Sequence, residues 1–352
     1  MITKEQAVTG SHEDKENYMN DLLIPHRTMS AILEETEVLM EQIGGLSIIL
    51  IVGPTGWGKS AFGRKLLRIL LQDNAYRIQE DPSIIPAVLV EVDSADKKPE
   101  IDFSLLYARI CKALLAPSVL DGFGMPRNLE EEQHSPAENS RMMLEKAIQG
   151  RRLQHLILDE IIHFLHSSTP PIHYGDLLKS LSNRSNFNLV LIGAYGSEEL
   201  IHATGQLARR ITVIHCPRYK QCEADFIEYA TFIKSVTERL PYSFEIDLEN
   251  DIQYLFNGTF GLCGASVRVI LEAAARCSKE KRPRWSRTLL LKSMPSLKKH
   301  RQIAMETLRG EERIQPYLQD ELVKTYTTEE DLWRELKKEH DEHGQLNRRR
   351  AR

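Results

Sequence analysis

The sequence predicts an α/β fold: a five-stranded parallel sheet layered with helices, followed by a small all-helical domain. Three observations predict it. Residues 47–52 (Ser-Ile-Ile-Leu-Ile-Val) form a short apolar run rich in β-branched residues, and a glycine-bearing loop and a helical stripe from Ala61 to Leu71 follow directly. Four further apolar runs of strand length recur down the chain, separated by amphipathic stripes, the alternation that builds a parallel sheet. From residue 221 to residue 281 the periodicity is helical throughout.

The 352 residues allow two domains, or one with extensions. Charged residues make up 27% and hydrophobic ones 41%, a globular mixture rather than a disordered or fibrous one. No run reaches the length of a membrane span and the polar N-terminus lacks a signal-peptide core, so a cytoplasmic protein without a membrane partner is expected. The five cysteines (Cys111, Cys216, Cys222, Cys263, Cys277) include no C-x-x-C pair, which favours reduced thiols over a disulfide scaffold. A net charge of −4 excludes a chain coated in basic charge, so any nucleic-acid contact must come from local patches.

In chain order, residues 1–20 are polar and expected to be mobile. Met29, Ile32, Leu33, Leu39, Met40 and Ile43 then form a helical stripe from Thr28 to Ile43, stopped by Gly44-Gly45. Together these make an N-terminal arm and helix over 1–44. The loop after the first strand, Gly53-Pro54-Thr55-Gly56-Trp57-Gly58-Lys59-Ser60, fits G-x-x-x-x-G-K-[ST] and has the strand before it and the helix after it that the pattern requires. Its glycines let backbone N–H groups turn toward phosphate, and the helix N-terminus at Ser60 and Ala61 adds the positive end of its dipole. Lys59 would reach the β- and γ-phosphates of a nucleotide and Ser60 would hold Mg²⁺. The helix over 28–43 would cover one side of the base. Trp57 is expected to pack over the adjacent helix, with stacking on a base as the alternative.

Pro86 to Val92 is the second strand, followed by a polar loop from Asp93 to Glu100 that carries Lys97 and Lys98. Phe103, Leu106, Tyr107, Ile110 and Leu114 mark a helix ending before Pro117, and Asp121 to Ser140 is expected to be a surface loop. His155 to Glu160 is the third strand and closes on paired acids. In phosphate-loop enzymes an acid at the place of Asp159 holds the Mg²⁺ shell, and a following Glu, here Glu160, orients and deprotonates the attacking water. His155, His163, His166 and His173 lie close by, but no acid or thiol completes a metal set, so they are surface and core histidines. Asn188 to Gly193 is the fourth strand and Ile211 to Cys216 the fifth. Arg209 and Arg210 precede the fifth, an edge strand, and are candidates for fingers on a neighbouring subunit's γ-phosphate; a solvated pair is the alternative.

Helices follow at Glu223 to Arg239, Leu248 to Phe256 and Ala265 to Cys277, separated by Pro241 and by Gly258 to Gly264. Arg268, in the first turns of the last, is a candidate to bend back onto phosphate. A phosphate-loop core over 45–217 with a helical lid over 218–281 is the two-part layout of AAA+ ATPases. From Arg282 to Arg301 there are seven Lys/Arg and no Asp/Glu, with Trp285 and Leu289-Leu290-Leu291 interleaved. A charged helix with Leu332, Trp333 and Leu336 on one side is expected over Thr327 to Glu342. The stretch 282–352 is thus expected to be a basic extension made of two docking pieces on a flexible tether.

With these residues assembled, the chain resembles the TniB/TnsC family, the AAA+ regulators of transposition in Tn-seven-like and CRISPR-associated transposons. The resemblance covers roughly residues 24–280. It is carried by Ile24-Pro25-His26, the phosphate loop, Leu158-Asp159-Glu160, Leu181-Ser182-Asn183, Leu191-Ile192-Gly193 and Gln206-Leu207-Ala208-x-Arg210. It implies slow, DNA-modulated ATP hydrolysis and a homo-oligomeric ring or filament on duplex DNA that links a target-selection protein to a transposase. It implies phosphate and Mg²⁺ ligands at Lys59 and Ser60, the Mg²⁺ acid at Asp159, the catalytic base at Glu160 and the finger at Arg210, with or without Arg209. Lys97 and Lys98 would then face DNA in the central pore. Three positions depart from the family pattern and bear on the hydrolysis rate. Ala194-Tyr195 stands where a polar sensor is usual, Ile211 where Phe follows the finger, and Ile161-Ile162-His163 is one residue longer than Glu-Ile-His. Two other classes share parts of this pattern: an AAA+ loader of the replication-initiator or IstB kind, and a STAND-like signalling NTPase without DNA.

Overall fold

In the computed structural model, which describes residues 2–41, 48–92, 103–115, 136–164, 187–203, 210–243, 248, 250–281 and 284–318, the wholly buried run Ile48–Gly53 forms β1. Contacts divide the chain into Met1–Pro316 and Tyr317–Arg352; the elements below belong to the first unit. Ala87–Glu91 (β2), His155–Asp159 (β3), Asn188–Ala194 (β4) and Ile211–His215 (β5) join β1 in one parallel sheet of order β2-β3-β4-β1-β5. Because β1 lies between β4 and β5, Gly53 sits beside Ala194 and Val52 beside His215. The loop leaving β1 therefore opens between the ends of two neighbouring strands, the crevice where parallel sheets place their ligands.

The N-terminal residues are helical, contrary to the expected mobile arm. Lys4–Thr9 (α1) and His12–Asp21 (α2) each begin with a capping box, Thr3 with Gln6 and Ser11 with Asp14, which satisfies amide donors that short polar helices otherwise leave open. Tertiary contacts hold them: Lys4 donates to the Glu238 carbonyl, and Arg68 pairs with Asp21 at 3.0 Å. Arg27–Met40 (α3) presents Met29, Ile32, Leu33 and Leu39 to Phe62, Leu66 and Leu70 of Lys59–Asp73 (α4), and both helices cover Ile49 and Ile51 of β1. Each such fully buried side chain contributes about 1.5–3 kcal/mol. Ala75–Glu80 (α5) and Phe103–Ala113 (α6) follow. The loop expected to reach Ser140 stops earlier, because Pro136 begins Pro136–Arg151 (α7), where its missing N–H and preset φ suit a first helical position.

Glu223–Glu238 (α8), Ile252–Thr259 (α9) and Cys263–Lys279 (α10) pack around a second core that includes Tyr229, Phe232, Ile233, Leu255, Phe256 and Ile270. The helix expected from Leu248 starts four residues later, at Ile252, and the amides of Asp251 and Ile252 both donate to the Leu248 carbonyl. Arg287–Ser293 (α11) and Leu297–Ile314 (α12) complete the unit. The first of the two expected docking pieces is thus part of the fold: Trp285 and Leu290 lie in the helical core, Leu289 is buried, and Arg287 pairs with Asp251. Apolar residues at helical spacing bury whatever charges are interleaved with them, provided the cations reach solvent or a carboxylate. All five cysteines are free thiols, and among the described residues no helix is long and apolar enough to cross a membrane.

Candidate functional site

Gly56 at φ +88° and Gly58 at φ +118° give the loop after β1 two left-handed turns that only glycine adopts without strain. Gly53 is required by close approach instead, since a Cβ there would lie 2.4 Å from that of Cys216. The loop delivers the chain to α4, whose first amides, from Lys59 onward, have no partner within the helix. Ser60 is exposed in that first turn, and Thr55 is exposed at the crest of the loop. Lys59 is buried, and its ammonium donates to the carbonyls of Gly53 (3.0 Å) and Pro54 (2.9 Å). Burial lowers its pKa; Cys216 and the carboxylates of Glu160 and Asp159 act in the opposite sense. A cation curled over its own loop in this way is placed to exchange two carbonyls for phosphate oxygens.

The paired acids sit at the end of β3. Asp159 is buried and its Oδ1 accepts the Glu160 amide at 2.8 Å, which leaves Oδ2 for a cation. Glu160 has φ +60°, unusual for a residue with a Cβ, and such strain concentrates at functional sites. Ser60 and Asp159 offer the donor types that Mg²⁺ takes, one hydroxyl and one carboxylate, and would need phosphate oxygens and water to complete its shell.

Trp57 does not reach outward to a base. It is 1% exposed, its Nε1–H donates to the Pro217 carbonyl at 2.9 Å, and its ring meets His26 edge-on at 5.0 Å. Its part in the loop is structural. His26 itself is buried among Trp57, Tyr219 and Phe232, with Nδ1 2.9 Å from the Thr28 hydroxyl. Burial pushes its pKa down to about 4.

The helical unit touches the loop directly, which periodicity does not reveal. The amides of Gly264 and Ala265 donate to the carbonyls of Trp57 (3.3 Å) and Gly56 (2.7 Å). Arg268 is exposed four residues after Gly264 and three after Ala265, on the helix face that meets the loop. The local signal was a pair of small residues opening a helix. Arg210 stands at the opposite end of β1 from the loop: its carbonyl accepts the Ile48 amide at 3.4 Å, and six strand residues, about 16 Å, separate Ile48 from Gly53. Within one chain the arginine and the loop do not meet. Arg209, Lys97, Lys98, His166, His173, Leu181-Ser182-Asn183, Gln206-Leu207-Ala208, Gly44-Gly45 and the helix expected over 327–342 lie outside the described residues.

A family model described as Bacterial TniB protein matches residues 16–221. No curated protein matches the chain. Among solved structures, the ADP form of the Aeropyrum pernix ORC2 protein aligns with a TM-score of 0.55 at 14% identity, covering 83% of this chain and 73% of that one. The ADPNP-ADP complexes of the same protein align at 0.51 and 16%, covering 75% and 66%. The A. pernix ORC1 protein in complex with DNA aligns at 0.54 and 14%, covering 83% and 68%. The chain thus spans about two thirds to three quarters of the length of these proteins. At such identities the likeness speaks for the fold alone.

Proposed function

Since the chain belongs to the Bacterial TniB protein family, matched over more than half of its length, we propose that it is an ATP-dependent AAA+ regulator of DNA transposition, assembling on duplex DNA. The observation that carries this reading is the convergence at one crevice of the glycine loop, the Lys59 ammonium and the Asp159–Glu160 pair. Loop amides and Lys59 bind the phosphates of ATP. Ser60 and Asp159 hold Mg²⁺, which when bound neutralises phosphate charge. Glu160 orients the attacking water and takes its proton, and Arg268 steadies the phosphates from the helical unit. Residues 45–217 serve as the ATPase core and 218–281 as its lid.

The position of Arg210, at the end of β1 opposite the loop, supports a role in trans. Arg210, with Arg209, completes the site of a neighbouring subunit, so the active form is a ring or filament. Lys97 and Lys98 carry the DNA contact, and a target-selection protein and a transposase are the partners, the latter recruited through residues 319–352. Electron microscopy and sedimentation with ATP, with and without duplex DNA, test this. ATP-dependent assembly on DNA is expected, as is partial recovery of hydrolysis when Arg210→Ala and Lys59→Ala chains are mixed. A chain that assembles on no DNA, or that captures a replicative helicase in place of a transposase, overturns the transposition reading.

A further inference from the structure

We propose that α12, the last helix among the described residues, belongs to the hydrolysis apparatus: seated on Tyr195, it positions the end of β4 against the strand that carries the phosphate loop. It rests on the reading of that loop as an ATPase site.

The strand order places the relevant groups. β1 runs between β4 and β5, with Gly53 beside Ala194 and Val52 beside His215. Tyr195 follows Ala194 directly, and its hydroxyl lies 2.8 Å from His215 Nε2. The side chain therefore bridges the last residues of β1 and ties both flanking strands together where the loop begins. Ala194 has no polar side-chain atom to offer a reacting phosphate, and the Tyr195 hydroxyl is engaged by His215. What this position contributes is placement. Burial first, and the Glu311 carboxylate after it, push the phenol's pKa far up, so the hydroxyl keeps its proton.

α12 roofs the bridge. A Cβ on Gly310 would lie 2.0 Å from Cδ2 and 2.2 Å from Cγ of the Tyr195 ring, so the helix approaches as closely as it does because residue 310 is glycine. A glycine inside a helix costs about 1 kcal/mol relative to alanine, and here the cost coincides with a contact no other residue permits. Ion pairs anchor the helix beyond Gly310. Glu311 meets Arg218 at 2.9 Å, with side chains only 17% and 10% exposed. Arg313 pairs with Glu199 and lies 3.6 Å from Glu198, whose other carboxylate oxygen accepts the Gly196 amide at 2.7 Å. The helix thus grips the turn that follows Tyr195. Nearer its start, His300 donates to the Asn257 carbonyl at 2.9 Å, so α12 spans from the helical unit to the end of the sheet. A change in lid position is then felt at β4 without passing through the nucleotide. Displacing a positioned group by an ångström costs on the order of a hundredfold in rate, so small shifts of this helix matter to turnover.

The test uses the full chain and four proteins: wild type, Tyr195→Phe, Gly310→Ala and the double variant Gly310→Ala/Tyr195→Ala. ATP affinity, KM, kcat and Tm are measured for each. Tyr195→Phe removes the bridge alone and is expected to lower kcat by about tenfold with KM within about twofold. Gly310→Ala pushes the helix off the ring and is expected to lower both kcat and Tm. In the double variant the smaller side chain makes room for the new methyl group, so Tm recovers while kcat stays low. A kcat that follows Tm back to the wild-type value marks a purely structural contact and overturns the proposal, as does an unchanged kcat in Tyr195→Phe. Wild-type protein that binds no ATP overturns instead the reading of the loop, a separate result.

Discussion

The amide of Ala265 donates to the carbonyl of Gly56 at 2.7 Å, so the first turn of α10 is hydrogen-bonded to the phosphate loop itself. Gly264, beside it, fits only because it lacks a Cβ: one would lie 2.8 Å from the Gly56 oxygen and 3.1 Å from the Gly58 nitrogen, both backbone atoms that cannot swing away. Gly264→Val is therefore expected to separate the helix from the loop and weaken ATP binding by about tenfold, roughly 1.4 kcal/mol. Titration with a fluorescent ATP analogue checks it. Wild-type affinity in the variant would mean that the loop holds its shape without the helix.

Lys59→Ala removes the ammonium that donates to the Gly53 and Pro54 carbonyls and that the proposed site turns onto phosphate. Loss of measurable ATP binding is expected in calorimetry. Glu160→Gln keeps the strained backbone and the hydrogen bond from its amide to Asp159. It is expected to bind ATP normally and to slow hydrolysis by about a hundredfold or more, within the range that general-base catalysis supplies. Unchanged turnover in the Gln variant removes Glu160 from the role of base.

One buried histidine, His26, and one half-buried histidine, His155, make stability depend on pH. Burial lowers the pKa of His26 and of His155 from 6.5 to about 4. The unfolded chain then takes up protons first as pH falls, so stability is complete above about pH 6.5 and declines progressively toward pH 4. Each group accounts for about 3 kcal/mol over that window, from roughly 1.4 kcal/mol per pKa unit. His26→Phe, which also removes a buried Nε2 without a hydrogen-bond partner among the described residues, is expected to flatten part of the decline. Denaturant melts at pH 7.5 and pH 5 measure it; equal losses in wild type and variant would assign the decline to other groups.

The helix α12 also predicts the outcome of truncation. A chain ending at residue 301 loses Thr307, Gly310 and Ile314, all buried, and the ion pairs of Glu311 and Arg313. It is expected to lose several kcal/mol of stability, the cost of emptying buried apolar sites and leaving Glu198 without its counter-ion. A chain ending at residue 318 is expected to melt and bind ATP like the full protein. Recruitment of transposase, if it depends on residues 319–352, is lost in the second chain as well as the first, which a pull-down reads separately from stability.

The sequence patterns anticipated more of the sheet than of the ends of the chain. Every strand falls within a residue or two of its apolar run, and the central ones, buried on both faces, must be continuously apolar. The polar composition of residues 1–20 conceals two helices that the capping boxes Thr3-x-x-Gln6 and Ser11-x-x-Asp14 spell out. The charge of the basic run after Arg282 suggests a docking piece, whereas the spacing of Trp285, Leu289 and Leu290 buries those three side chains and makes the run part of the fold.

By itself the sequence determined what neighbours along the chain decide. The strand, the glycine loop and the helix of residues 48–73 carry a phosphate cradle whose geometry is local: positive-φ glycines, a helix N-terminus and a lysine within reach. Asp159 and Glu160 could be named because they close an apolar run. Only the tertiary structure decided which distant residues meet them. Gly264 and Gly56 lie far apart in the chain, as do Gly310 and Tyr195, and Trp57 and Pro217, and each pair is joined by close approach or a single hydrogen bond rather than by any repeating pattern. Periodicity reports which face of a helix is apolar and carries no term for what that face touches. Such contacts depend on strand order and helix docking, and they became visible when β1 was found between β4 and β5, with α10 and α12 closing over its end.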